Sequence, residues 1–74
     1  MAEDFSFEII KEHGVLSESK TGWRLELNTV NWNKRGDKFD IRSWSADHQK
    51  MGKGVTLTKD EMIKLKELLV NIEL

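Results

Sequence analysis

Residues 23–44, WRLELNTVNWNKRGDKFDIRSW, are two runs of alternating side chains joined by a short polar stretch around Gly36. Nothing else in the chain constrains its fold as much, because period-two alternation broken by a glycine-containing turn describes an antiparallel hairpin. Parity then sorts the side chains. In the first run Trp23, Leu25 and Leu27 share one face, opposed by Arg24, Glu26, Asn28, Val30 and Trp32. In the second, Phe39 and Ile41 share a face, opposed by Lys38, Asp40, Arg42 and Trp44. The apolar sets are expected to meet the core, and Trp23 is assigned to packing with them. The other face then collects Arg24, Trp32, Lys38, Arg42 and Trp44, so cations and two large aromatics point the same way. A bulge would reverse this register along the tail of the first run.

The remaining segments read around that hairpin. DFSFEII alternates Phe5, Phe7 and Ile9 against Ser6 and Glu8, the pattern of a half-buried strand. His13-Gly14 is expected to break it, VLSES to form a short second strand, and KTG to turn at Gly22. VTL at 55–57 leads into a helix start, where Thr58 followed three residues later by Glu61 is a capping box. Met62, Leu65, Leu69 and Ile72 then recur at helical spacing, joined by Ile63, Leu68 and Val70. A helix of about 14 residues spans roughly 21 Å, and its apolar arc is wide enough to cover a sheet and leave a flank for a second subunit. A single domain over 1–74 follows, with strands over about 4–57 and the helix over about 59–72.

With 74 residues and no cysteine, the chain can draw neither on disulfides nor on a thiolate metal site. His13 and His48 lack the paired spacing of a zinc motif, so no structural metal is expected. Association with a second copy is the remaining supplement to so small a core. The acidic start lacks the basic and apolar regions of a secretory signal, and no apolar run reaches the roughly 20 residues of a membrane span. A soluble protein of the cytoplasm or nucleoid is expected. The net charge of −1 conceals a segregation. Residues 1–18 carry one cation against five acids, residues 19–54 eight against four, and residues 55–74 three against four. All three tryptophans fall in the positive segment, where local field matters more to a polyanion than the total does.

Three chemistries are open to these residues. Aromatic rings flanked by cations on a sheet can stack on unpaired bases and neutralise phosphates, although the same residues also serve simply to solvate an exposed sheet face. KMGKG, residues 50–54, offers two lysines, Lys50 and Lys53, and two glycines that permit close backbone approach to a phosphate; a flexible basic loop is the plainer reading. SWSADH holds Ser43, Ser45, Asp47 and His48, but neither serine sits in a nucleophile elbow and triad members come from separate elements. No enzymatic activity and no cofactor are expected.

KFDIRSW, the Lys/Gly stretch and VTLTKDEMIKLKELL resemble the single-stranded-DNA-binding domain of the transcriptional coactivator positive cofactor four. The likeness to its small bacterial relatives, the YdbC-type proteins, extends over almost the whole chain. The residues that carry it are Phe39-Asp40-Ile41-Arg42 with Trp44, Lys50 to Gly54, and Val55-Thr56-Leu57. The resemblance implies an α+β fold: a four-stranded, curved antiparallel sheet followed by a C-terminal helix, homodimeric through Met62, Leu65, Leu68, Leu69 and Ile72. It implies single-stranded DNA across the strands, met by Lys38, Arg42 and Trp44, with Lys53 on backbone phosphate and Trp32, Lys34 and Arg35 at a hairpin tip. Lys20, Arg24 and Lys50 complete the candidate set from the positive segment. The family also implies contact with the transcription machinery. An interaction module for a partner protein and single-stranded RNA binding are the alternatives, since both use the same residue types.

Overall fold

A computed structural model describes residues 6–74. Four strands run β1 (Phe7–Glu18), β2 (Arg24–Trp32), β3 (Asp37–Trp44) and β4 (Met51–Leu57), followed by one helix, α1 (Lys59–Val70). The sheet is antiparallel in the order β1-β2-β3-β4, so each strand pairs with its neighbour in sequence. Phe5, expected to open the first alternation, lies outside the described residues. The fold is α+β, a four-stranded sheet and a C-terminal helix.

The β2–β3 register runs unbroken from Arg24 opposite Trp44 to Asn31 opposite Asp37, so the two faces are those that parity assigns. Trp23 stands just before β2 and is half-buried. At the hairpin tip Asn33 and Lys34 both have positive φ, 52° and 60°, with Gly36 at 106° behind them. Paired positive φ values suit the right-handed twist of the flanking strands. The Arg35 amide donates to the Trp32 carbonyl at 3.0 Å, and the Asn33 amide donates to the Ser6 carbonyl at 2.8 Å, which pins the tip to the start of β1.

Two local expectations need correction. His13-Gly14 does not break the first strand, and VLSES is not a strand of its own: β1 continues through both. Its pairing with β2 shifts register between Ile9 and Lys11, between Glu12 and Gly14, and between Val15 and Ser17. Each shift inserts an extra residue, so Phe7, Ile9, Glu12, Val15 and Glu18 share a face at mostly three-residue steps. Such bulges bend a strand and increase its twist. The second correction is KMGKG, which is no free loop: all but Lys50 lies in β4.

The bend decides where the core forms. In a flat hairpin Trp32 would stand eight residues, about 26 Å, from the position opposite Trp44. The two indoles instead stack at 6.4 Å between centroids and 8° between planes. β2 and β3 therefore curl until their ends meet. Inside the curl lie Val30 and Trp44, both 0% exposed, with Asp40 at 0% and Glu26 and Asn28 at 1%. The expectation that the apolar faces would form the core is corrected by this: Leu25, Leu27, Phe39 and Ile41 are only half-buried. The single-chain core lies on the mixed polar and aromatic face, because curvature rather than side-chain polarity determines which face is enclosed.

α1 begins on the expected capping box. Thr58 Oγ1 accepts from the Glu61 amide at 3.1 Å, and the Thr58 amide donates to Glu61 Oε1 at 2.8 Å. The helix ends at Val70, short of the expected 72, with the Asn71 amide donating to the Leu68 carbonyl at 3.1 Å and the Ile72 amide to the Leu69 carbonyl at 3.3 Å. It leans over the Phe39 side of the sheet, leaving an open apolar hollow of about 540 Å³ lined by Phe39, Met62, Ile63, Leu65, Leu69 and Val70. No residue of α1 is buried. Among the described residues no helix is long and apolar enough to cross a membrane.

Candidate nucleic-acid interface

The curl gathers an aromatic cluster from three strands and a loop. Phe7 of β1 lies 5.9 Å from Trp32 of β2 and 5.1 Å from Trp44 of β3, and His48 lies 5.6 Å from Trp44. Trp44 is fully buried beneath its neighbours, so its ring presents no open face in this arrangement. Trp32 is half-buried and is the member of the pair that reaches the surface. Phe7 and His48 escaped the reading of the sequence as members of this cluster. Phe7 was legible as a strand position, whereas nothing local to His48 indicated that its ring would turn inward.

Arg42 links the ends of the curl. Its Nε and Nη2 donate to the two carboxylate oxygens of Asp40 at 2.9 and 3.1 Å. Its Nη1 reaches the Gly52 carbonyl at 3.3 Å, and its guanidinium carbon lies 4.9 Å from the centre of the Trp32 ring. Asp40 also accepts from Thr56 Oγ1 at 2.9 Å. A bidentate guanidinium–carboxylate pair fixes geometry as well as charge, and a guanidinium over an indole face adds a cation–π attraction. Because Arg42 touches both Trp32 and the start of β4, the curl brings the hairpin tip beside the basic glycine segment.

Gly54 explains why the strands pack so closely there. It pairs with Arg42, beside the register shift between Arg42 and Trp44. A Cβ at this position would fall 2.5 Å from the Ile41 carbonyl oxygen and 2.8 Å from Arg42 Cα, and would overlap Arg42 Cβ. Close approach was the correct reason for a glycine, but the approaching group is the β3 backbone.

A second buried cluster surrounds Glu26. Its carboxylate accepts from Asn28 Nδ2 at 3.0 Å and pairs with His48 Nε2 at 2.9 and 3.1 Å, and Arg24 Nε lies 3.4 Å away. Burial alone would raise its pKa, but the hydrogen bonds from Asn28 and His48 and the charges of His48 and Arg24 outweigh that and hold it below the ordinary 4.5. Glu12, Glu26 and His48 also bring one possible metal-ligating atom each within 4.8 Å of one another, a grouping that spacing in sequence conceals. Glu26 is already balanced within the fold by its other partners.

Because the folded pKa of Glu26 lies below its unfolded value, its contribution to stability is present above pH 4.5 and is lost as pH falls through the folded value. Glu26→Gln should therefore lower stability at neutral pH and give a shallower decline below about pH 4.5. Urea unfolding at pH 3.5, 5 and 7 measures this, and parallel declines in the two proteins would refute it.

Ser45 and Asp47 of SWSADH close a loop. Asp47 Oδ1 accepts from Ser45 Oγ at 2.8 Å and from the Gln49 amide at 3.0 Å, and Ser45 Oγ accepts from the Lys50 amide at 3.0 Å. These bonds hold the Asp47 carboxyl below its usual range. His48, at φ 58°, turns away from the serines and toward Glu26.

The candidate cations divide by environment. Arg24 and Arg42 are half-buried and paired with Glu26 and Asp40. Lys20, Lys34, Arg35, Lys38, Lys50 and Lys53 are exposed, and none has an ion-pair partner among the described residues. Two of the four acids in segment 19–54 are thus consumed inside the curl. The excess of four positive charges in this segment lies on the surface, spread over the turn before β2, the hairpin tip with the start of β3, and the start of β4. Trp23 packs elsewhere, its Cζ3 lying 3.6 Å from the Cβ position of Gly52, consistent with its assignment to packing.

Residues 19–68 match the family model described as Transcriptional Coactivator p15 (PC4). An uncharacterized protein of Treponema pallidum (strain Nichols) is 50% identical over 72 residues, covering 97% of this chain and 85% of that one.

Proposed function

We propose that this chain, which belongs to the Transcriptional Coactivator p15 (PC4) family, binds single-stranded DNA on the rim of its curled sheet as a homodimer. The observation that carries the reading is the sorting of charge. The acids Glu26 and Asp40 are buried and paired, while six cations stand at the surface with no ion-pair partner among the described residues, on the same curled sheet as a half-exposed indole. A surface of this kind suits phosphates spaced along a flexible strand, with a base stacked on Trp32 and Trp44 backing it from within. Lys34, Arg35 and Lys38 serve the hairpin tip, Lys50 and Lys53 the start of β4, and Lys20 and Arg24 the turn before β2. Little base-edge readout is expected, so binding is sequence-tolerant. The family's description as a transcriptional coactivator supports a role in transcription, and the reading extends to DNA maintenance in the cytoplasm or on the nucleoid.

The dimer rests on the apolar surface that one chain leaves uncovered. Ile63, Leu68, Leu69, Val70 and Ile72 are each about half exposed or more, and the half-buried Leu25, Leu27 and Ile41 share the sheet face of Phe39, over which the helix leans. Met62, Leu65, Leu68, Leu69 and Ile72 are the contacts expected across it.

Tryptophan fluorescence during titration with a short single-stranded oligonucleotide, and with the matching duplex, tests the DNA reading. Quenching is expected with the single strand and not with the duplex, whose bases have no free faces. It should weaken as salt rises. The triple variant Lys34→Ala, Lys38→Ala, Lys53→Ala should reduce the slope of log affinity against log salt by about 2, at roughly 0.7 per phosphate contact. No response to either nucleic acid would sink the proposal, and tighter binding of the RNA oligonucleotide of the same sequence would reassign it to RNA.

A further inference from the structure

Arg42, with its charge and its place on the sheet, reads as a phosphate ligand, but its surroundings suit a different task. Its side chain is 17% exposed and the Asp40 carboxylate that it grips is 0% exposed. Three of its nitrogens are already directed at protein acceptors: two on Asp40 and one on the Gly52 carbonyl, with Met51 Sδ 3.9 Å from the last. Asp40 is itself fixed by Thr56 from the next strand. The same flat guanidinium lies over the Trp32 ring, its carbon 4.9 Å from the ring centre.

We infer that Asp40 and Arg42 form a strut that sets the Trp32 ring for stacking, and that Arg42 is a positioning residue and not a phosphate ligand. The inference rests on the single-strand reading above. Trp32 ends β2 at the four-residue turn 33–36, and a ring at a hairpin tip has many orientations available unless something behind it is rigid. Asp40 and Arg42 come from the middle of β3, the strand that the curl brings beneath that tip. The pair is locked by two parallel hydrogen bonds, so it resists rotation in a way a lysine at the same place would not. Trp44 supports the ring nearly parallel at 6.4 Å. The acid is therefore as necessary to DNA binding as the cation, although a carboxylate alone repels a polyanion.

That gives a test that turns on sign. Asp40→Asn removes a negative charge and frees the Arg42 guanidinium, so a phosphate-ligand role predicts tighter binding of the single-stranded oligonucleotide. The strut predicts binding weakened about 10-fold, the scale of one compromised stacking platform, with an unchanged salt slope and a shifted Trp emission maximum in the free protein. Arg42→Lys keeps the charge and should lose a similar factor, whereas a simple phosphate contact would survive it. Should Asp40→Asn fail to fold, as judged by circular dichroism, Arg42→Lys decides alone. Tighter binding by Asp40→Asn, or wild-type affinity in Arg42→Lys, overturns the strut. Failure of the wild-type protein to bind the single strand overturns the parent reading instead.

Discussion

Gly54→Ala should lower the melting temperature by about 12–24 °C, the largest effect expected of any single methyl group added to this protein. The new Cβ has no room: the Ile41 carbonyl oxygen at 2.5 Å and Arg42 Cα at 2.8 Å are backbone, and Arg42 Cβ is nearer still. None of these can rotate aside, so β3 and β4 must separate where Arg42 bonds to Asp40 and Gly52. Overpacking costs at the upper end of its usual range, about 3 kcal/mol, and each kcal/mol shifts the midpoint of a domain this size by about 4–8 °C. Gly52→Ala is the matched comparison. Its Cβ would meet Ser43 Cβ at 3.5 Å and Trp23 at 3.6 Å, ordinary contacts, so stability should change by no more than about 0.5 kcal/mol. Thermal unfolding by circular dichroism separates the two, and equal midpoints would show that the strands are not so tightly apposed.

The second large effect concerns assembly. At micromolar concentration, sedimentation equilibrium should give about twice the 8.6 kDa chain mass. Leu68→Asp should raise the dimer dissociation constant by about 100-fold or more, because an uncompensated carboxylate buried between subunits costs about 3–5 kcal/mol. Leu68 is 56% exposed in the single chain, so a change there disturbs little within the protomer. A wild-type protein that stays monomeric at these concentrations, or a Leu68→Asp variant that dimerises normally, would remove the helix as the interface.

Much of this architecture was legible in the sequence because it is local. The hairpin faces follow from parity, and the Thr58–Glu61 box follows from two residues at fixed spacing. What was not legible depends on bending. A period-two reading cannot follow β1, where register shifts turn the spacing of residues on one face from two to three. The curl that results encloses the face bearing Glu26, Asn28 and Asp40, and leaves Leu25, Leu27 and Ile41 half-covered. Parity placed those acids correctly beside the cations, but only the closed geometry shows that they are spent on Arg24, His48 and Arg42. The candidate site was legible in the same partial way. Its cations and tryptophans come from the segment that composition singled out, yet the division between the exposed cations and the gripped Arg24 and Arg42 needed coordinates. Trp44 likewise read as a surface ring and proves to be the buried support of Trp32.

The shifts in β1 also govern how this strand meets other chains. β1 is an edge of the sheet, 12 residues long, with Ile10, Val15 and Leu16 exposed along it. A straight edge of that length and composition would act as a template on which a neighbouring molecule could add a strand, the first step toward aggregation. The three irregularities spoil that template: a foreign strand would need the same extra residues at the same three places to keep its hydrogen bonds in step. The bends that fold the sheet around its own aromatic centre therefore also protect its open side from indiscriminate pairing.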